Sequence, residues 1–250
     1  MRSEDWDALA GDFDREVFDP VGTDLAGAIA RALRKVGRVT LACDFGCGTG
    51  RMLPLLRRRA ERVIGLDFAP ELLRRARERV GPDPRVELRR ADLGRPLRTP
   101  RGAALVTCVN VLLTPDDAIR SVQLRNLRNA LRPGGHLLLV VPSLESLLWT
   151  NNRLIEWNRR EGLRGEGLFH EGIETGPEGA RDLLRGIVDQ GGTATKHHLR
   201  EELVAGLGAL GMETVHEGRV VYPWNAYFLD PPRWLGEPRP WDWLMLAMRS

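Results

Sequence analysis

Lysine is nearly missing from this chain. Of its 37 basic residues only Lys35 and Lys196 are lysines, and the rest are arginines. Cysteine is also scarce. Cys43, Cys47 and Cys108 form an odd set with no paired spacing. That argues against a disulfide framework and a zinc site, and for a reducing compartment. Aromatic residues make up 6% of the chain, with two tyrosines. A nucleic-acid surface would interleave aromatics with its basic residues. The clusters Arg57-Arg58-Arg59, Arg74-Arg75 and Arg89-Arg90 lack such partners and stand near Glu61, Glu71 and Glu78. They read as solvated helix faces with i,i+4 pairing, so no nucleic-acid partner is expected. No apolar run approaches the roughly 20 residues of a membrane-spanning helix, and no membrane partner is expected. Met1 to Asp7 is polar and largely acidic, unlike a secretory leader, so the expected location is cytoplasmic.

What remains is ordinary globular material. The 250 residues are 42% hydrophobic and 28% charged, with a formal net charge of +3. That length suits one sizeable α/β domain. Patterning predicts helices at Trp6–Ala10 and Thr23–Lys35, then an alternation. Strands are predicted at Val39–Asp44, Arg62–Asp67, Val86–Arg90, Ala104–Val109 and His136–Val141. Helices are predicted between them at Met52–Arg59, Pro70–Val80 and Pro115–Leu131. Such alternation implies parallel strands with right-handed crossovers. Arg132-Pro133-Gly134-Gly135 reads as a helix stop. The long segment from Ser143 to His198 holds helical pieces at Leu147–Arg159 and Ala180–Gln190 around a glycine-rich middle. Loops of that length commonly act as lids or binding segments. A helix near Leu199–Leu210 and strands at Glu213–Tyr222 and Trp241–Met248 complete the chain.

The strongest local signal is Asp44-Phe45-Gly46-Cys47-Gly48-Thr49-Gly50, at a strand-to-helix junction. Glycines there allow a tight turn and close approach of a ligand. No Gly-Lys-Ser/Thr follows, so it is not a phosphate-binding loop of that type. A dinucleotide fingerprint would need its third glycine where Arg51 stands. Asp44 at the mouth of the loop would repel a pyrophosphate and attract an ammonium group. S-adenosylmethionine carries an ammonium and a sulfonium and no phosphate. Asp67 ends the second predicted strand, where acids bind ribose hydroxyls. Asp92, after the third strand, is placed to accept from an adenine amino group.

On these residues the chain resembles the class I S-adenosylmethionine-dependent methyltransferase family. The matching pieces are Asp44 to Gly50, Gly65-Leu66-Asp67-Phe68, Ala91-Asp92-Leu93, Asn110-Val111-Leu112 and Leu131 to Leu137, in the family's order. The resemblance implies a Rossmann-like three-layer sandwich. Its seven-stranded, mostly parallel sheet would carry the last strand antiparallel between the fifth and sixth, with a helical insert after the fifth. It implies that Asp44, Gly46, Cys47, Gly48 and Gly50 line the cofactor, with the methionine moiety at Asp44 and Gly46. Asp67 would take the ribose, Phe68 the adenine face, Asp92 and Leu93 the adenine edge. Asn110 would lie beside the transferred methyl. Two departures stand out: Ala103-Ala104 replaces an aspartate common at the opening of the fourth strand. Leu113-Thr114 stands where many members carry a histidine.

The resulting expectation is one domain over residues 1–250. Residues 1–37 form a helical cap, 38–142 the cofactor core, 143–198 a lid and 199–250 a C-terminal helix and strands. The expected activity is methyl transfer to oxygen, nitrogen or carbon of a small molecule. The alternatives are a nicotinamide-dependent oxidoreductase and a non-catalytic cofactor-binding partner protein. Acceptor contacts are expected from Trp149, Trp157, Trp224, Asn225 and Tyr227, which would give an aromatic lining with amides. His197, His198 and His170 are the candidate bases, while Asp230-Pro231-Pro232-Arg233 reads as a rigid loop.

Overall fold

The computed structural model describes residues 19–98, 100–169, 182–189 and 193–250. Five strands run parallel: β1 (Val39–Phe45), β2 (Ala60–Asp67), β3 (Val86–Arg90), β4 (Ala103–Val109) and β5 (Leu131–Pro142). A separate antiparallel ribbon, β6 (Ile187–Asp189) with β7 (Ala194–Lys196), lies in the segment after β5. β8 (Met212–Val221) and β9 (Trp241–Arg249) extend the large sheet, giving the order β3-β2-β1-β4-β5-β9-β8. β9 is antiparallel to both neighbours, as the resemblance implied.

Helices cover both faces. They are α1 (Ala28–Val36), α2 (Leu53–Arg57), α3 (Pro70–Val80), α4 (Asp117–Ala130), α5 (Leu144–Arg160) and α6 (Arg200–Ala209). Period-2 alternation along the strands divides the core. Ala42, Leu105, Leu138, Val140 and Leu244 pack against Ile29, Leu33, Leu53, Leu56 and Ala76, from α1 to α3. Cys43, Val106, Leu139 and Met245 pack on the other face, against Leu127, Leu203 and Leu207 of α4 and α6. Both faces of the central strands are dry, as a parallel sheet requires.

Several boundaries differ from the sequence reading. α1 begins after Thr23 because Gly27 takes a left-handed φ of 63° and Asp24 accepts from the Ile29 amide at 2.9 Å. α4 starts where Asp116 caps it, accepting from Ala118 and Ile119. In the stretch predicted as a helix over Ala180–Gln190, the described residues are helical at 182–184. Gly186, at φ 69°, breaks it and Ile187–Asp189 pairs as a strand. The predicted helix at Trp6–Ala10 and His170 lie outside the described residues. No described helix is long and apolar enough to cross a membrane. Of the arginine clusters, Arg74-Arg75 behaves as read, whereas Arg89-Arg90 lies on β3, Arg57 pairs with Asp83 and Arg59 donates to the Leu33 carbonyl. Arg74 pairs with Glu71 and Glu78 along α3, and Arg62 and Arg89 pair with Glu87. Exposed pairs of this kind contribute little to stability.

Candidate cofactor and acceptor site

The carboxyl ends of β1, β2 and β4 meet at the glycine loop. Asp44 sits on β1 in register with Thr107 of β4. Its Oδ1 accepts from the Thr107 hydroxyl at 2.6 Å, while its Oδ2 is buried with no hydrogen-bond partner. Burial pushes this carboxyl up to about 7; the Thr107 bond opposes the shift and the nearby Asp67 charge adds to it. A buried, half-satisfied carboxylate is costly unless a cation completes it.

The loop's own donors point away from a ligand. The amides of Gly46 and Cys47 both donate to the Leu66 carbonyl, at 2.7 and 2.9 Å. The Gly48 amide donates to Asp67 Oδ2 at 2.8 Å, and the Gly50 amide to the Cys47 carbonyl at 2.8 Å. A pyrophosphate site needs unoccupied amides at a helix N-terminus. Here the amides of residues 46, 47, 48 and 50 are satisfied internally, and the helix that follows, α2, has five residues and no side-chain cap. Gly46 is required twice over. Its φ is 71°, and a Cβ there would come within 2.3 Å of a Val111 methyl carbon.

Asp67 is buried, and its Oδ1 accepts from the Ala69 amide at 3.0 Å. Each oxygen thus accepts from a backbone amide. Phe68 follows, half-buried, with its carbonyl accepting from Arg90 at 3.1 Å. Asp92 is exposed, accepting from the Gly94 amide at 2.9 Å and pairing with Arg95 at 3.1 Å, while Leu93 is buried. Cys47 is buried, as are Cys43 and Cys108, and burial raises all three thiols. None is a thiolate ligand or nucleophile in this state.

Asn110 leaves β4 in a left-handed conformation, φ 52°, its amide donating to the Val140 carbonyl at 2.9 Å. Its Nδ2 donates to Asp242 Oδ2 at 3.1 Å, and the same oxygen accepts from the Tyr222 hydroxyl at 2.7 Å. The Oδ1 of Asn110 is buried without a partner. Sequence reading missed Asp242 and Tyr222. A signal existed: Asp242 lies in Trp241–Arg249, a strand whose other residues up to Ala247 are all apolar and buried. It shares a face with Leu244 and Leu246, so a carboxylate stands where the core pattern calls for an aliphatic side chain.

The histidines are placed differently from the carboxylates. His197 and His198 are buried, and burial drives both rings down, His197 to about 4. The His198 ring donates from Nε2 to the Leu112 carbonyl at 3.1 Å. It lines a cavity of about 270 Å³ with Leu139, Leu203 and Leu207, which belong to the sheet face opposite to that of Ala42 and Leu105. The backbone here stitches the segment after β5 to the loop after β4. The Lys196 amide donates to the Leu113 carbonyl at 2.8 Å, and the His198 amide to Pro142 at 2.8 Å.

The expected aromatic residues form a ladder. Trp224 stacks on Phe228 with centroids 5.9 Å apart, and Trp157 meets Phe228 edge-on at 5.8 Å. The indole nitrogens of Trp149 and Trp224 donate to the Pro238 and Gly236 carbonyls. Tyr227 lies beside Tyr222, centroids 6.4 Å apart, and Asn225 is exposed. Phe228 was not anticipated. Among the described residues no group of acidic, histidine or cysteine side chains could hold a metal ion.

Residues 42–135 match the model of a methyltransferase domain. That match agrees with the resemblance to class I S-adenosylmethionine-dependent methyltransferases over the same stretch. The methyltransferase domain has relatives on both sequence and structure. The carboxy-S-adenosyl-L-methionine synthase of Chromohalobacter salexigens is 30% identical over 130 residues, which cover 48% of this chain and 47% of that protein. The chain thus spans about half the length of the curated relative it matches. The fold is shared with an S-adenosylmethionine-dependent methyltransferase from Mesorhizobium loti, at a TM-score of 0.60 and 21% identity over 92% of this chain and 100% of that one. It is shared too with the N-methyltransferase NodS of Bradyrhizobium japonicum, solved with S-adenosyl-L-homocysteine. There the TM-score is 0.64 and identity 15%, over 99% and 98% of the two chains.

Proposed function

We propose that this protein transfers the methyl group of S-adenosylmethionine to a small-molecule acceptor. One observation carries the reading: the buried, unpartnered Oδ2 of Asp44 stands beside a glycine loop whose amides are turned away from any phosphate. That pocket suits a cationic ammonium and rejects a pyrophosphate, which sets aside the nicotinamide alternative. The cofactor supplies an activated sulfonium methyl, so the protein's own work is alignment and exclusion of water.

Asp44 would bind the ammonium, Gly46, Cys47, Gly48 and Gly50 would shape the wall, and Asp67 would accept both ribose hydroxyls. Phe68 would cover one adenine face, Asp92 and Leu93 its edge, and Asn110 would stand near the methyl. His197 and His198 serve better as positioning residues than as bases, since both are buried and the His198 Nε2 is engaged by Leu112. Residues 143–198 form the acceptor-side segment, with Trp149, Trp157, Trp224, Asn225 and Tyr227 around its approach. Scarce cysteine favours a cytoplasmic setting.

Calorimetric titration with S-adenosylhomocysteine and with NADH tests the reading. Saturable binding of the first and none of the second is expected, and the reverse would overturn it. Asp67→Ala should weaken S-adenosylhomocysteine by about 1.5–3 kcal/mol, the scale of charge-assisted hydrogen bonds.

A further inference from the structure

An amide has two ends, and which end faces a site decides what the site accepts. The orientation of Asn110 follows from its partner. Asp242 is 3% exposed, and its Oδ2 receives two donors, the Tyr222 hydroxyl and the Asn110 side chain. An ionised carboxylate only accepts, so Asn110 must present its NH₂ to Asp242 and turn its carbonyl oxygen the other way. The base of the side chain is also fixed, by the left-handed φ of 52° and the Asn110 amide bond to Val140. The outcome is a buried acceptor, Asn110 Oδ1, with no donor of its own.

We propose that Asp242, braced by Tyr222, is a positioning residue that aims the Asn110 carbonyl oxygen at the methyl acceptor, selecting a nucleophile that carries a hydrogen, an amine or a hydroxyl. The inference rests on the methyl-transfer reading above. Its logic is specificity by an unmade bond. An acceptor lacking an N–H or O–H leaves a buried oxygen unsatisfied, whereas one that has it completes the network. The three residues come from the carboxyl end of β4, the residue after β8 and the start of the antiparallel β9, so they lie at the end of the sheet formed by the carboxyl ends of its parallel strands, where this fold binds ligands. Tyr227, Trp224 and Phe228 follow Tyr222 in the chain and bring aromatic surface to the same end.

The test uses the full chain saturated with S-adenosylhomocysteine. Aniline is compared with N,N-dimethylaniline, and phenol with anisole, by calorimetry or saturation-transfer NMR. The hydrogen-bearing member of each pair should bind about fivefold or more tightly. Asp242→Asn allows the facing amides to pair with Asn110 reversed, so the preference should vanish while S-adenosylhomocysteine affinity stays within about threefold. Asn110→Gly keeps the left-handed backbone, removes the amide and should abolish the preference as well. Equal affinities in the wild-type complex, no binding of any probe, or a preference that survives Asn110→Gly would overturn the proposal. Failure of S-adenosylhomocysteine itself to bind would instead strike at the methyl-transfer reading.

Discussion

On the proposed reading, Asp44 sets how cofactor binding responds to pH. Burial holds its carboxyl near 7. An ammonium ligand is attracted only by the ionised form, so affinity should plateau above pH 7 and fall as the carboxyl gains its proton. The limiting slope is about tenfold per pH unit. Calorimetry with S-adenosylhomocysteine at pH 5.5 and 8 should show weakening of about tenfold or more at the lower value. Asp44→Asn should bind weakly at both, with the slope removed. Gly46 offers a second residue-level check. Gly46→Ala adds a methyl that meets Val111 and forces an L-residue to φ 71°. It should lower stability by more than about 1 kcal/mol and abolish S-adenosylhomocysteine binding. Pairing it with Val111→Ala should restore room but not the backbone, so binding should recover only in part. The carboxylates proposed for the cofactor were legible in sequence because each lies at or just beyond the end of a strand. The acceptor side was not. Asn110 and Asp242 are 132 positions apart and meet only through the antiparallel return of β9.

Among the elements, α4 depends on a local cap. Asp116 accepts from two amides of its first turn, at 2.8 and 3.1 Å. Asp116→Ala should cost about 1 kcal/mol, read as a lower urea midpoint with an unchanged slope. Cofactor affinity should hold, since α4 flanks the site without supplying it a side chain. The β-α alternation was readable wherever a strand had apolar alternation and a glycine or proline stop. It failed at Ala180–Gln190, where Leu183-Leu184 followed by Ile187-Val188 carries helical spacing. Gly186 ends that helix, with its amide on Leu183 and its carbonyl accepting from His197 at 2.6 Å. A cross-chain hydrogen bond of this kind has no local trace. The aromatic residues after β8 were identified as types, but their stacking partner Phe228 depends on a turn that brings it back over Trp224.

For the whole molecule, buried titratable groups of opposite behaviour face each other across the acid range. Asp44 and Asp242 are raised by burial, to about 7 and about 6, so their contribution to stability fades as pH rises through those values. His197 and His198 are lowered, so theirs is present above the ordinary histidine value and is lost as pH falls toward 4. Between pH 4.5 and 6 the native state holds protons on two carboxyls and the unfolded state on two imidazoles. Among these four groups uptake on unfolding nearly cancels, while His136 and His216, also lowered by burial, add some uptake, so stability should rise only gently with pH there. Asp44→Asn removes one side of the balance. Its urea-derived stability should then climb with pH at about 1 kcal/mol per unit across that window. A flat profile in that variant would show that these groups do not titrate as described.

The stitching of β7 and His198 to the carbonyls of Leu113 and Leu112 has a broader consequence. The segment after β5 is buttoned directly onto the peptide units that follow Asn110, not onto the glycine loop. On the proposed reading, a substitution in that segment would act first on the acceptor side and leave the glycine loop in place.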